Sequence, residues 1–152
     1  MDKRKGIIMI GAVLFACVIF FSIFGNPLIL KNGYDFGRAV KAIKAETVTL
    51  NEITPFEWET VYSFAPYASK QEMESIIGFK SNHITETVSE GMVQLIFVKG
   101  SRVVCSIRGY SSNLGYGVSL WSGGESHCQI RRGDNVAFSV IVRDNIPLLS
   151  RD

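Results

Sequence analysis

The chain has few of the residues from which active sites are usually built. Its 152 residues include three cysteines and two histidines, and none of them stands in the closely spaced pairs that are typical of zinc sites. The sequence has no G-x-S-x-G nucleophile motif, and no phosphate-binding glycine pattern precedes a predicted helix. We therefore predict no catalytic residue, no cofactor and no metal site, and a protein that is not an enzyme.

The chain also lacks an excess of charge of either sign. It carries 16 Lys or Arg residues and 14 Asp or Glu residues. Three of the basic residues and one of the acidic residues precede residue 6, so 13 of each sign remain in the rest of the chain. Nucleic-acid binding needs a basic field, and we therefore predict no nucleic-acid partner.

What the chain has instead is a long apolar run, GIIMIGAVLFACVIFFSIFG, at residues 6–25. A helix of about 20 apolar residues spans a hydrocarbon core of about 30 Å. Lys3, Arg4 and Lys5 precede the run, and the positive-inside rule keeps such a flank in the cytoplasm. We predict a single-pass protein of the cell membrane, with residues 1–5 cytoplasmic, 6–25 a transmembrane signal anchor that contacts the lipid bilayer, and the rest extracytoplasmic.

Three other fates of the run stay open. A cleaved signal peptide has a shorter apolar region, of about 7–15 residues, and a small-residue cleavage site. A lipoprotein would carry its lipid on Cys17, which follows Leu14-Phe15-Ala16. A pilin-like protein would be cut near Lys5-Gly6, although Gly11 stands where a pilin helix usually carries Glu.

The remaining residues indicate an α+β fold, in which a small antiparallel sheet packs with one or two helices. We assign residues 26–44 to a membrane-proximal segment or short helix and residues 45–152 to the extracytoplasmic domain. Ser69 and Gly78 are typical caps of a helix over Lys70–Ile77. Alternation and turn residues predict strands at Thr47–Leu50, Phe56–Phe64, Met92–Val98, Arg102–Ile107, Asn113–Trp121, Ser126–Arg131 and Val136–Val142. The last two strands form a hairpin around Gly133-Asp134, and a coil follows from Asn145.

Two cysteines and four aromatic residues are candidates for special roles in this domain. Cys105 and Cys128 lie on predicted strands, and an exported location permits a disulfide between them, although a third strand between theirs would hold them too far apart. Tyr67 follows a proline, and Tyr110, Tyr116 and Trp121 stand near glycines. Exposed aromatic residues are frequent at protein interfaces, so these four are the candidate partner-binding residues.

The segment from Phe56 to Phe79 contains an aromatic residue, Trp58-Glu59, then Val61-Tyr62-Ser63-Phe64-Ala65-Pro66-Tyr67, and a short stretch ending in glycine. This pattern resembles one found in small uncharacterised bacterial proteins, mostly Gram-positive, that carry an N-terminal membrane segment or lipoprotein signal. The resemblance implies a cell-envelope protein and transfers no activity.

These observations favour a non-enzymatic binding module that is held at the outer face of the membrane and binds a protein or envelope partner. An immunity-type protein that neutralises a secreted toxin is one form of this class. The alternatives are a pilin-like or secretion-assembly component and a small-ligand-binding or enzymatic envelope domain.

Overall fold

The computed structural model describes residues 6–7, 9–15, 26–121 and 124–151. Residues 6–7 and 9–15 are helical. Within the described ranges, no helix combines the length and the apolar character that crossing a membrane requires. Residues 8 and 16–25 of the predicted anchor, with Cys17, lie outside these ranges.

From residue 26 onward the chain forms helices and short strands in mixed order. The helices are α1 (Pro27–Lys41), α2 (Leu50–Ile53), α3 (Lys70–Ile77) and α4 (Ser111–Leu114), with a 3-10 turn at Arg132–Asp134. The strands are β1 (Thr47–Thr49), β2 (Thr60–Phe64), β3 (Met92–Lys99), β4 (Arg102–Tyr110), β5 (Gly117–Ser119), β6 (His127–Arg131), β7 (Ala137–Arg143) and β8 (Ile146–Ser150).

The strands form two four-stranded sheets, in the orders β1-β7-β8-β5 and β4-β3-β2-β6. All neighbouring strands are antiparallel except β5 and β8, which are parallel. The α+β class is confirmed, whereas the prediction of one small sheet is corrected to two. The predicted coil after Asn145 is in fact β8, because Asp144 and Asn145 both have positive φ (51° and 64°), which matches the tight hairpin turn preferred between antiparallel strands.

The predicted hairpin between the strands around Gly133 was wrong. β6 pairs with β2, and β7 pairs with β1 and β8, so the two strands belong to different sheets. The 3-10 turn carries the chain between them. Its left-handed residue is Asn135 (φ 47°) rather than Gly133, and the Asp134 carboxylate accepts a hydrogen bond from the Arg131 amide at 2.8 Å.

Helix α1 lies within the segment predicted at residues 26–44 and packs on the sheets. The Asn26 side chain accepts a hydrogen bond from the Leu28 amide at 3.0 Å, and Pro27 occupies the first turn, where its missing N–H costs nothing. Phe36 and Val40 are fully buried in the core between the sheets. α1 therefore shares one hydrophobic core with the strands that follow it.

Strand β2 is shorter than predicted, and the side chains from Trp58 to Phe64 do not alternate between two faces as predicted. Trp58 and Val61 belong to the core between the sheets, whereas Tyr62 and Phe64 belong to a second core with Met73 of α3. The alternation expected over Phe56–Phe64 therefore breaks before β2 begins. The predicted helix α3 is confirmed with both ends, because the Ser69 hydroxyl accepts from the Glu72 amide and Gly78 adopts φ 93°.

Candidate functional site

A cleft of about 380 Å³ opens between the two sheets, where β2 ends and β3 begins. β5 and β8 form its opposite wall. None of the sixteen described residues that line it has a charged side chain. A volume of this size lies within the range of small-molecule and peptide side-chain pockets.

Glycine and small polar residues shape the wall formed by β5. A Cβ atom on Gly117 would stand 2.7 Å from Cδ2 of Leu148 and 2.8 Å from Oγ of Ser111. Real Cβ atoms do not approach other atoms this closely, so a side chain at this position would displace both neighbours. Gly117 thus lets Leu148 and Ser111 close over the strand and form one side of the cleft.

A loop at residues 84–91, which we call the rim loop, borders the cleft. Thr87 and Gly91 line the cleft directly. Five residues outside the rim loop donate hydrogen bonds to it. Three of these bonds reach backbone carbonyls: from the Tyr67 amide to Thr87 (2.8 Å), from Gln94 Nε2 to Thr85 (3.0 Å) and from Arg108 Nη1 to Glu86 (2.7 Å). The other two reach side chains: from the Lys70 amide to Glu86 Oε1 (2.6 Å) and from Tyr110 Oη to Ser89 Oγ (2.6 Å). These hydrogen bonds attach the rim loop to β3, β4 and the start of α3.

Three of the four candidate aromatic residues either line the cleft or are hydrogen-bonded to the rim loop. Trp121 lines the cleft and is half-buried. Tyr67 follows the lining residue Pro66 and is 68% exposed, and Tyr110, which pairs across the sheet with the lining residue Met92, is 40% exposed. Tyr67 also has φ 70°, a conformation that costs a residue with a Cβ about 1–2 kcal/mol, and the hydrogen bond from its amide to Thr87 holds it there.

Tyr116 does not belong to this group, which corrects its prediction as an exposed binding residue. Its side chain is only 3% exposed and packs edge-on against Phe36 of α1, with ring centroids 6.1 Å apart. The Lys41 ammonium lies 5.8 Å from the ring centroid. Burial, with a further contribution from Cys105, raises the pKa of Tyr116 to about 12.

The two cysteines are free thiols, so the candidate disulfide is corrected. Cys105 lies on β4 and Cys128 on β6, at opposite edges of one sheet. Three strand intervals of about 4.8 Å each separate these edges, which is beyond the reach of a disulfide. Burial raises the pKa of the Cys105 thiol to about 12.

The surroundings of Cys128 also favour the protonated thiol over the thiolate. Its Sγ donates a hydrogen bond to the Leu120 carbonyl at 3.1 Å. Burial raises the pKa of Cys128, and the Arg151 guanidinium opposes this rise only in part. A protonated buried thiol is a poor nucleophile.

The other titratable side chains of the described residues lie at separate places in the domain. Among the residues that the structure describes, no three His, Cys, Asp or Glu residues are grouped as metal ligands would be. His127 stacks on Phe64 at 5.8 Å. Glu57 pairs with Arg132 (3.0 Å) and Lys99 (3.7 Å), at the end of β3 that lies away from the cleft.

No protein-family model, curated protein or solved structure matches the chain. The segment that carries the family resemblance forms β2, a corner at Pro66 and Tyr67, and α3. The membership of that family stays a prediction. The sequence does not predict the cleft, because its walls come from strands that are far apart in the chain. The residues that donate hydrogen bonds to the rim loop are also distant, up to 22 residues away along the chain.

Proposed function

We propose that the chain is a non-enzymatic binding module that is anchored in the membrane. At the outer face of the membrane, it binds an uncharged segment of a protein or envelope partner. The observation that carries this proposal is the uncharged cleft between the sheets, with Trp121 in its lining and Tyr67 and Tyr110 hydrogen-bonded to its rim loop. Aromatic anchors around a desolvated pocket are the usual centre of a binding interface.

The lining favours a neutral ligand with an apolar body and a few polar groups. Val118, Leu149 and Trp121 offer apolar surface, and Ser119 and Ser150 offer hydroxyl groups that can donate or accept. A charged group placed here would lose its hydration without an ion partner in the lining.

An extended peptide segment is the protein ligand that this geometry suits best. β5 is an end strand of its sheet and also lines the cleft. The outer edge of an end strand presents backbone donors and acceptors, and an extended segment can pair with them while a side chain enters the adjacent pocket.

The anchor in this proposal rests on the apolar run at residues 6–25 and its basic flank. A bilayer anchor confines the module and its membrane partners to one surface, which raises their effective concentration. A modest interface, such as one cleft and three aromatic side chains, then suffices for binding. An immunity-type protein that meets an incoming toxin at the membrane is one form of this function.

Site-specific photocrosslinking in intact cells tests the use of the cleft. A photoreactive residue replaces Ser150, which is exposed and lines the cleft, and in the control it replaces Ser75, which is exposed on α3. The proposal predicts a discrete crosslinked product from position 150 that is absent from position 75 and is lost when Trp121→Ala is added. Identical products from both positions, or a product that Trp121→Ala leaves unchanged, would refute the cleft as the binding site.

A further inference from the structure

The outward face of α1 carries an apolar and basic stripe that the domain does not cover. Leu30, Tyr34 and Arg38 follow one another at the spacing of one helix face. Leu30 is 61% exposed, Tyr34 is 68% exposed, and Leu28 in the first turn is 52% exposed. The Arg38 guanidinium lies 5.9 Å from the centroid of the Tyr34 ring.

This stripe is separate from the face by which α1 holds the domain together. Ile29, Phe36 and Val40 are buried on the opposite side of the helix. A helix needs only one apolar face to attach it to a core. Leu30 and Tyr34, which are one helical turn apart, therefore form a second exposed surface on α1.

The position of α1 in the chain places this surface beside the membrane. The apolar run ends at Gly25, and α1 begins at Pro27. The chain advances at most about 3.6 Å per residue, so the first turn of α1 lies within about 10 Å of the end of the run. Asn26 is extended (ψ 112°) and caps α1, so α1 starts as a helix of its own at this point.

The charge of α1 suits the surface of an anionic leaflet. Its charged residues are three cations and one anion, and the anion, Asp35, is already paired with Lys31. Arg38 and Lys41 lie in the second half of the helix, after Leu30 and Tyr34 in the first. Apolar and tyrosine side chains that enter the headgroup region, with cations that meet lipid phosphates, are the pattern of a helix lying on a membrane.

We propose that α1 lies along the outer membrane surface, with Leu30 and Tyr34 in the headgroup region of an anionic phospholipid bilayer and Arg38 against its phosphates. This inference rests on the proposed anchor. Asn32 Nδ2 donates to the Val104 carbonyl of β4 at 2.8 Å, and the Lys41 side chain lies beside Gly115, two residues before β5. α1 is therefore held against the domain that contains the cleft.

Spin-label accessibility in the full-length chain tests the inference. The Cys17→Ser variant, in which Cys105 and Cys128 are buried, receives one label at Leu30→Cys or Tyr34→Cys, with Ser75→Cys as the control. The protein is reconstituted in vesicles of three parts phosphatidylcholine to one part phosphatidylglycerol. Collision rates are measured with oxygen, which concentrates in lipid, and with a water-soluble nickel chelate.

The inference predicts a ratio of oxygen to nickel collisions that is several-fold higher at positions 30 and 34 than at position 75. If the protein floats with the vesicles and all three positions give the same ratio, the anchor stands and the surface-lying helix is refuted. If the protein does not float with the vesicles, the proposed anchor itself fails, and this inference fails with it.

Discussion

Cε1 of Tyr116 lies 3.0 Å from the point where a Cβ atom would stand on Gly37, so α1 meets the core with its backbone rather than with a side chain at this position. Tyr116 is buried and also contacts Phe36. The close approach fixes the helix firmly to the domain. An α1 that is fixed in this way would, in the membrane arrangement proposed above, carry the rest of the domain with it.

We expect Gly37→Ala to lower the free energy of unfolding by about 1–2 kcal/mol, because overpacking against a buried ring outweighs the better helix propensity of alanine. Gly33→Ala is the matched control in the same helix. Its Cβ would meet Cys105 Sγ at 3.9 Å, an ordinary contact, so we expect it to stabilise the domain by about 0.5–1 kcal/mol. Chemical denaturation of the full chain in detergent measures both changes, and equal effects of the two variants would contradict this packing.

Removing the hydroxyl of Tyr110 should loosen the rim loop without unfolding the domain. Tyr110→Phe deletes the 2.6 Å hydrogen bond to Ser89, with an expected loss of about 0.5–1.5 kcal/mol. Hydrogen exchange should accelerate at residues 87–91. Tyr34→Phe, which removes an exposed hydroxyl on α1, is the control and should leave exchange in the rim loop unchanged. Equal exchange in both variants would show that this hydrogen bond does not hold the loop.

The end of α3 depends on the left-handed backbone of Gly78. Its φ is 93°, and a Cβ there would meet no other atom within 4 Å, so the cost of Gly78→Ala is purely conformational, about 1 kcal/mol. Gly133→Ala, at an equally open site without positive φ, should change the free energy of unfolding by less than about 0.5 kcal/mol. Thermal unfolding of the two variants tests the difference, and the prediction fails if Gly133→Ala costs as much.

The buried thiol of Cys105 should make the domain less stable in alkali. Its pKa rises from 9.0 to about 12 on folding, so the unfolded chain releases the proton first as the pH rises above 9. The free energy of unfolding should then fall by up to about 1.4 kcal/mol per pH unit from this group, between its unfolded and folded pKa values. Cys105→Ala should show a shallower decline above about pH 9 than the wild type. Parallel declines would contradict the assignment.

The elements that could be predicted from the sequence are those specified by neighbouring residues. α3 carries its own capping residues, Ser69 and Gly78, and the β3–β4 hairpin carries its own turn at Gly100. The two-sheet topology could not be predicted, because β6 pairs with β2 and β8 pairs with β5, over long sequence separations. Strand propensity indicates where strands lie but not which of them pair.

Long-range contacts also limit how well the candidate binding residues can be predicted from the sequence. Tyr67, Tyr110 and Trp121 are aromatic residues near proline or glycine, and in the structure Trp121 lines the cleft while Tyr67 and Tyr110 are hydrogen-bonded to the rim loop. Tyr116 satisfied the same criterion and is buried, because the glycine that matters is Gly37 on α1, which is distant in sequence. Whether an aromatic residue faces solvent depends on such a partner, and the local sequence does not contain it.

The measurement that tests the account most directly is the intact mass and N-terminal sequence of the protein purified from carbonate-washed membranes. In a parallel sample, intact spheroplasts are treated with protease before the membranes are prepared. The account predicts an unprocessed N-terminus on a membrane-resistant chain whose domain is digested from outside. A cut near Gly25 with the domain free in the medium would contradict it. A cut after Gly6 would favour the pilin-like alternative, and a lipid on Cys17 would replace the transmembrane anchor with a lipoprotein.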